Sequence, residues 1–135
     1  MNNGLVHPQP CFAESDFRNA KAIMEDYIEI GLDAYNPLEA KAGMDVLDLR
    51  QTYGHGIAFC GNSDMQVWET NDLNLIRRVV LRKLNAAKGG GLIFQSDHSV
   101  SSSVSGHTYD YIVKLVREFG EYPIQLGEYE LASLA

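Results

Sequence analysis

The chain has 135 residues, of which 45% are hydrophobic and 21% charged, a composition typical of one globular domain. Eleven Lys and Arg against 18 Asp and Glu give a net charge of −7, so no basic surface for nucleic acid or an anionic membrane is expected. No apolar run approaches the roughly 18 residues of a membrane span. The chain is also shorter than the roughly 200 residues that a complete eight-stranded α/β barrel needs.

The cysteines and the N-terminus predict an unprocessed cytoplasmic protein. Cys11 and Cys60 lie far apart and form no CxxC pair, so neither a disulfide framework nor a structural zinc site is expected. The first residues lack the basic start and the continuous apolar stretch of a signal peptide.

Hydrophobic periodicity predicts the first elements. Residues 1–20 mix prolines with scattered polar residues, which indicates an irregular N-terminal arm. An amphipathic helix is predicted over residues 19–30. A short strand over residues 32–35 follows and is expected to stop at Asn36 and Pro37.

The middle of the chain has the clearest helix pattern. A helix over residues 44–53 precedes a compact apolar strand over residues 57–60, which runs into turn residues at 61–64. A third helix, capped by Thr70 or Asn71, carries one long apolar stripe. Its basic residues are expected on the outer, exposed face; they are Arg77, Arg78, Arg82 and Lys83.

The last third contains one more strand and one more helix. Residues 92–94 read as a buried strand, residues 95–105 as a polar loop, and residues 106–119 as an amphipathic helix. Residues 124–135 form a tail of ambiguous pattern. Strands that alternate with helices indicate an α/β fold with right-handed crossovers and a parallel sheet.

Ligands of parallel α/β folds bind at the carboxyl ends of the strands, which here lead into loops at residues 36–43, 61–71 and 95–106. Histidine is the residue type that can titrate near neutrality, so His98 in the third loop suits proton transfer, and Asp97 could set its tautomer. The alternative is a solvated loop histidine. The serines after His98 could bind an anion or form a flexible loop, and Asn62 and Asp64 could hold a ligand or simply form a turn.

Three blocks of the sequence resemble the C-terminal part of the uroporphyrinogen decarboxylase superfamily. They are IGLDAYNPLEAKAGMD at residues 30–45, FCGNSDMQ at residues 59–66, and GGGLIFQSDHSV at residues 89–100 with its continuation VREFGEYP at residues 116–123. The resemblance implies that residues 21–123 supply the last three to four βα units of a TIM-type (β/α)8 barrel.

The resemblance also implies a chemistry. Its parent enzyme decarboxylates a carboxylated tetrapyrrole without a cofactor or a metal, so the same reaction on that or a related small substrate is expected here. A histidine that follows the last barrel strand lines the substrate cleft of the decarboxylase, and His98 occupies the similar place as the candidate catalytic residue. The candidate substrate-binding residues are Asn36, Asn62, Asp64 and Asp97.

The decarboxylase has an Arg-rich motif, a catalytic aspartate and a catalytic tyrosine in the first half of its barrel. These have no counterpart here, so an incomplete active site is expected.

Two alternatives stay open beside the decarboxylase. The zinc-dependent corrinoid or thiol methyltransferases of the superfamily need cysteines near residues 15–17 and near His98, where this sequence has none. The other alternative is a non-catalytic subunit that forms a homo-oligomer or joins a chain supplying the rest of the barrel, because a small parallel sheet leaves unpaired edges.

Overall fold

The computed structural model describes residues 20–127, so the predicted arm at residues 1–20, except Ala20, and residues 128–135 of the predicted tail lie outside it. Three strands and five α-helices alternate along the described part of the chain, which confirms the α/β prediction. They are α1 (Met24–Glu29), β1 (Ala34–Leu38), α2 (Val46–Tyr53), β2 (Ala58–Ser63), α3 (Met65–Glu69), α4 (Leu73–Ala86), β3 (Leu92–Ser96) and α5 (Gly106–Phe119). Short 3-10 turns occupy Ala20–Ile23 and Ala40–Ala42.

The three strands form one parallel sheet in the order β1-β2-β3. Crossovers between parallel strands are almost always right-handed, so strands that follow one another in sequence order place their helices on the same face. Accordingly α4 packs against α2 and α5 as well as against β2 and β3. The strand β3 was predicted to be buried, but only its Leu92 is, while the side chains of Ile93 and Gln95 are exposed. The central strand β2 is buried throughout from Phe59 to Ser63.

The third predicted helix forms as expected, with a different cap. The Oδ1 atom of Asp72 accepts hydrogen bonds from the N–H groups of Asn74 and Leu75, so Asp72 caps α4 in place of the predicted Thr70 or Asn71. Three residues of the predicted apolar stripe are buried in the core, namely Ile76, Val80 and Leu84. Leu81, which was outside the predicted stripe, is buried with them, whereas Leu73 and Val79 of the stripe are only partly buried. Ser105 caps α5 in the same way, through a bond from the Thr108 N–H to its Oγ atom.

The core lies between the sheet and the helix layer. Its largest fully buried side chain is Phe59 of β2, and full burial of such a side chain contributes about 1.5–3 kcal/mol. The Arg50 guanidinium lies 5.1 Å from the centre of the Phe59 ring. It also donates hydrogen bonds to the carbonyl oxygens of Gly54 and Ile57, before β2, and of Gly90, before β3. Arg50 therefore links the chain at the amino-terminal ends of β2 and β3 by hydrogen bonds.

The strand β1 extends beyond its predicted end. The sequence predicted a stop at Asn36 and Pro37, but the strand continues through both residues to Leu38. Among the described residues β1 pairs only with β2, so Pro37 lies on an edge strand, where a missing N–H costs little.

The strand β2 is also longer than predicted, because the expected turn residues Gly61 and Asn62 belong to it. Both have positive φ angles, 109° and 65°. A Cβ atom at Gly61 would lie 3.2 Å from the backbone N and O atoms of Leu38, so glycine is needed where β1 and β2 approach. The short helix α3, which was not predicted, follows at once. Within residues 20–127, no helix has the length and apolar character needed to span a membrane.

Candidate functional site

A carboxylate directly follows each of the three parallel strands. Glu39 follows β1, Asp64 follows β2 and Asp97 follows β3. The carboxyl ends of parallel strands lie at the same edge of the sheet, where α/β folds bind their ligands. His98 is the next residue after Asp97, so a histidine joins the three acids at this edge.

Asp97 is held in place through its backbone and one side-chain oxygen. Its N–H donates to the carbonyl of Ser63 at 3.1 Å, which continues the pairing of β3 with β2. Its Oδ1 atom accepts from the Met65 N–H at 3.2 Å. Its Oδ2 atom is buried without a hydrogen-bond partner, and the residue is only 4% exposed. These contacts fix the carboxyl group but leave one of its oxygens unused.

Burial raises the pKa of Asp97 above its usual range. The neighbouring Asp64 carboxylate acts in the same direction, whereas the Met65 N–H, His98 and the Ala40 N–H oppose it. Asp97 therefore keeps its proton to a higher pH than an exposed aspartate does, a property that suits a proton donor.

Glu39 connects the first strand to His98. Its Oε1 atom lies 3.8 Å from His98 Nε2, a distance that makes an ion pair when the imidazole is protonated. Glu39 is 5% exposed and its Oε2 atom has no hydrogen-bond partner, while the His98 side chain is 33% exposed. We call Glu39, Asp97 and His98 the cleft cluster.

The cleft cluster is unusual in its unpaired oxygens. Four buried side-chain atoms in residues 20–127 lack a hydrogen-bond partner, and two of them are Glu39 Oε2 and Asp97 Oδ2. Folded proteins pair nearly all their buried polar atoms, and the exceptions call for a specific explanation such as a catalytic role.

A cavity of about 270 Å³ adjoins the cleft cluster. Groups of both charge signs and several hydrogen-bonding side chains line it; they are Lys41, Asp64, Met65, Gln66, Glu69, Asp97, His98, Ser99 and Ser101. Such a set can bind a small polar molecule and exchange a proton with it through Asp97 or His98. Within the described part of the chain, no group of three or more His, Cys, Asp or Glu could hold a metal ion.

The structure brings three of the five predicted site residues together. Asp64, Asp97 and His98 line one cavity, and Asp64 also caps α3 by accepting the Gln66 N–H at 2.9 Å. The predicted Asn36 lies apart from them. It is exposed, and its Oδ1 atom accepts a 2.6 Å hydrogen bond from Gln95 Nε2.

Asn62 is also apart from the cavity, because its side chain is fully buried and bonded to the protein itself. Its Oδ1 atom accepts from the Val46 N–H at 3.0 Å and from Lys83 Nζ at 2.6 Å, and its Nδ2 atom donates to the Met44 carbonyl. The left-handed backbone at Asn62, which asparagine tolerates better than most residues, accompanies this inward amide. Asn62 therefore joins β2 to the chain that enters α2.

Lys83, which bonds Asn62, was predicted on the exposed face of its helix, and this prediction is wrong. Lys83 is only 4% exposed, and its Nζ atom donates to Asp45 Oδ2 at 2.8 Å. Arg82 donates to the same oxygen at 3.0 Å. The spacing could have revealed this burial, because Lys83 lies seven residues after the buried Ile76 on one helix face. We call Asp45, Asn62 and Lys83 the lysine cluster.

The pKa of Asp45 shifts in the opposite direction to that of Asp97. Burial raises the pKa of Asp45, but the hydrogen bond and charge of Lys83, the Leu47 N–H and the charge of Arg82 together hold it below its usual range. Asp45 is therefore kept ionised, as a structural ion pair requires.

Glu39 is the site residue that the sequence analysis missed. The first strand was predicted to end before Asn36, so Asn36 was taken as the first loop residue. The strand in fact ends at Leu38, which places Glu39 in that position. The leucine before Glu39 could have indicated that the strand continues to Leu38, because a leucine favours a buried position in a strand. The residue after the last strand residue, Glu39, then lies at the edge of the sheet.

Comparisons with known proteins leave the sequence resemblance without independent support. No protein-family model matches the chain, and neither a curated protein nor a solved structure matches it. The similarity of residues 21–123 to the uroporphyrinogen decarboxylase superfamily rests on the three sequence blocks alone.

Proposed function

We propose that the chain is the C-terminal part of a uroporphyrinogen decarboxylase-like (β/α)8 barrel, and that the cleft cluster handles a proton in a cofactor-free decarboxylation. The sheet topology supports the barrel, because parallel strands in sequence order with helices packed in one layer are what a segment of a barrel contains. The two distant cysteines support a cytoplasmic location.

The observation that carries the catalytic proposal is the buried Asp97 carboxyl beside His98, with one oxygen unpaired and its pKa raised. In a decarboxylation the bond between a substrate carbon and its carboxylate breaks, CO₂ leaves, and the electron pair stays on the carbon. A proton must then replace the lost carboxylate. Asp97 and a protonated His98 are the two groups at the cavity suited to supply it.

The cavity also contains groups that suit a carboxylated substrate. Lys41 and His98 can each carry a positive charge, and Gln66, Ser99 and Ser101 can donate hydrogen bonds. Glu39 lies behind His98, with its Oε1 atom 3.8 Å from His98 Nε2, so it can orient the imidazole ring toward the cavity. In this proposal Glu39 is a positioning residue, and His98 and Asp97 are the catalytic ones.

The test is an anaerobic incubation of the full chain with uroporphyrinogen in D₂O, followed by mass spectrometry of the products. Each carboxyl lost as CO₂ should be replaced by one deuterium. Positioned acids contribute about 10²–10⁴-fold to such reactions, so Asp97→Asn and His98→Gln should each slow the loss of CO₂ by at least about tenfold.

Ser102→Ala is the matched control, because Ser102 is an exposed member of the same loop that does not line the cavity. It should react at the wild-type rate. A chain that neither binds uroporphyrinogen nor releases CO₂ from it overturns the catalytic proposal. The proposal is also overturned if Asp97→Asn and His98→Gln release CO₂ as fast as Ser102→Ala and the wild type.

A second candidate function is a subunit that binds a second copy of itself through the exposed side chains of β3. The observation that favours it is Ile93 of β3, which is 57% exposed. Exposed apolar side chains on an edge strand are typical of interaction surfaces. Sedimentation velocity should then show concentration-dependent association that Ile93→Lys abolishes. Ile30→Lys, at a residue that is 76% exposed just after α1, should leave it unchanged, and a monomer at all concentrations contradicts this function.

A further inference from the structure

A second cavity, of about 390 Å³, lies between β3 and α5, and none of the described residues that line it also lines the cavity at the cleft cluster. Its volume falls within the roughly 300–1,000 Å³ range of small-molecule sites. Phe94 of β3 forms one wall, and Ile112 and Val116 of α5 form the opposite wall. We infer that this cavity binds a small, flat aromatic molecule that carries one acidic group.

The aromatic part of the inference rests on Trp68 and Tyr109. Their rings stand nearly edge to face, with centroids 6.4 Å apart and an angle of 69° between the planes. The indole N–H of Trp68 donates to Ser63 Oγ at 2.9 Å, so the ring is fixed in place. Tyr109 is 46% exposed, which leaves its ring open to a further stacking partner. Preorganised rings at this spacing favour a planar apolar ligand over a flexible chain.

The acidic group of the ligand is inferred from Arg117. Among the residues from 20 to 127 that line the cavity, it is the single charged side chain. Arg117 lies in the last turn of α5, and its side chain forms no hydrogen bond or ion pair with any residue from 20 to 127. A guanidinium beside an apolar pocket presents a pair of donors that fits a carboxylate. Gln95 and Ser96 add neutral hydrogen-bonding groups on the β3 side.

The probe for this inference is 2-naphthoate, with its neutral amide, 2-naphthamide, as the comparison ligand. Titration calorimetry on the full chain should give saturable binding of one naphthoate per chain, at least about tenfold tighter than naphthamide. The protein has one tryptophan, so the single indole N–H resonance in an NMR spectrum reports on the cavity directly. That resonance should shift with naphthoate.

Arg117→Gln should remove the preference for the acid while leaving naphthamide binding unchanged. Arg78→Gln is the matched control, because Arg78 is an exposed arginine of α4 outside the cavity, and it should bind as the wild type does. Both positions are exposed, so neither change should prevent folding.

Three outcomes overturn the inference. The first is equal affinity for naphthoate and naphthamide in the wild type, and the second is an unshifted indole resonance at saturation. The third is association of the chain that Val113→Glu abolishes, since a second copy would then fill the cavity. Arg117 is outside the cleft cluster, so these results do not depend on the decarboxylation assay.

Discussion

The lysine cluster and the cleft cluster are two polar clusters beside the same sheet, and their hydrogen-bonding groups are satisfied to very different degrees. In the lysine cluster, Lys83 Nζ bonds both Asp45 and Asn62, and the Asn62 amide also bonds the backbone at the start of α2. In the cleft cluster, Glu39 and Asp97 each keep a buried oxygen without a partner.

This difference separates a structural site from a candidate reactive one. Complete pairing offsets the cost of burying charge, and it holds the pKa of Asp45 low enough to keep the carboxylate ionised. At Asp97, burial and the nearby Asp64 charge destabilise the carboxylate more than the Met65 N–H, His98 and the Ala40 N–H stabilise it, so its pKa rises. A group that gains or loses a proton more readily in the folded protein is suited to chemistry rather than to support. The two clusters should therefore respond in opposite ways when their charges are removed.

The largest expected effect is the loss of stability in Lys83→Met. The change removes the ammonium group and leaves Asp45 and the Asn62 carbonyl without their shared donor. Removal of one partner from a buried ion pair costs about 3–5 kcal/mol. We expect about 3 kcal/mol in urea denaturation, the low end, because the Asp45 side chain is still 26% exposed.

Arg82→Met is the control for Lys83→Met, since Arg82 bonds the same Asp45 oxygen from a side chain that is 49% exposed. An exposed pair contributes about 0–1 kcal/mol. If the two variants lose equal stability, the burial of Lys83 is not what makes the lysine cluster structural.

A smaller loss is expected from Asp45→Asn, which removes the charge but keeps a good helix cap. Hydrogen bonds to charged groups contribute about 1.5–3 kcal/mol, so the variant should be about 2 kcal/mol less stable at neutral pH. The folded pKa of Asp45 lies below the model-compound value of 3.8. The stability that it contributes is therefore present above that value and is lost as the pH falls through the folded pKa.

The measurement for Asp45→Asn is urea denaturation of the variant and the wild type from neutral to acid pH. Their difference in the free energy of unfolding should shrink as the solution becomes acidic. A difference that stays constant with pH would mean that the variant is destabilised by lost packing rather than by lost charge.

Much of the fold follows from local pattern. The apolar stripe of α4 predicted that helix, because apolar residues that recur about every 3.6 positions lie on one face of a helix. The short apolar run at residues 92–94 predicted β3. The ends of the strands were less predictable. Asn36 and Pro37 are ordinary stop signals, and only the position of β1 at an edge of the described sheet makes them tolerable within a strand.

The errors at the strand ends carried over into the candidate site. His98 and Asp97 were identified because β3 ends near its predicted limit, whereas Asn36 was chosen where Glu39 belongs. Asn62 was assigned to a turn, but its left-handed backbone lies within β2 and its amide bonds Lys83. The pairing of Lys83 with Asp45 joins residues 38 positions apart, so no local pattern contains it.

The smallest expected effect, and the one of opposite sign, is that of Asp97→Asn. The amide keeps an acceptor for the Met65 N–H while it removes a buried charge that lacks full compensation. The folded pKa of Asp97 is raised above 3.8, so its contribution to stability is present below that value and is lost as the pH rises through the folded pKa. The variant should therefore become more stable than the wild type as the pH rises from acid to neutral. The gain should be smaller than the loss of about 2 kcal/mol expected for Asp45→Asn.

Urea denaturation from acid to neutral pH measures this difference, with Glu118→Gln on the exposed surface of α5 as the control for a lost carboxylate. If Asp97→Asn is destabilised and has the same pH slope as Asp45→Asn, then Asp97 is a paired structural acid, and the contrast between the two clusters is lost.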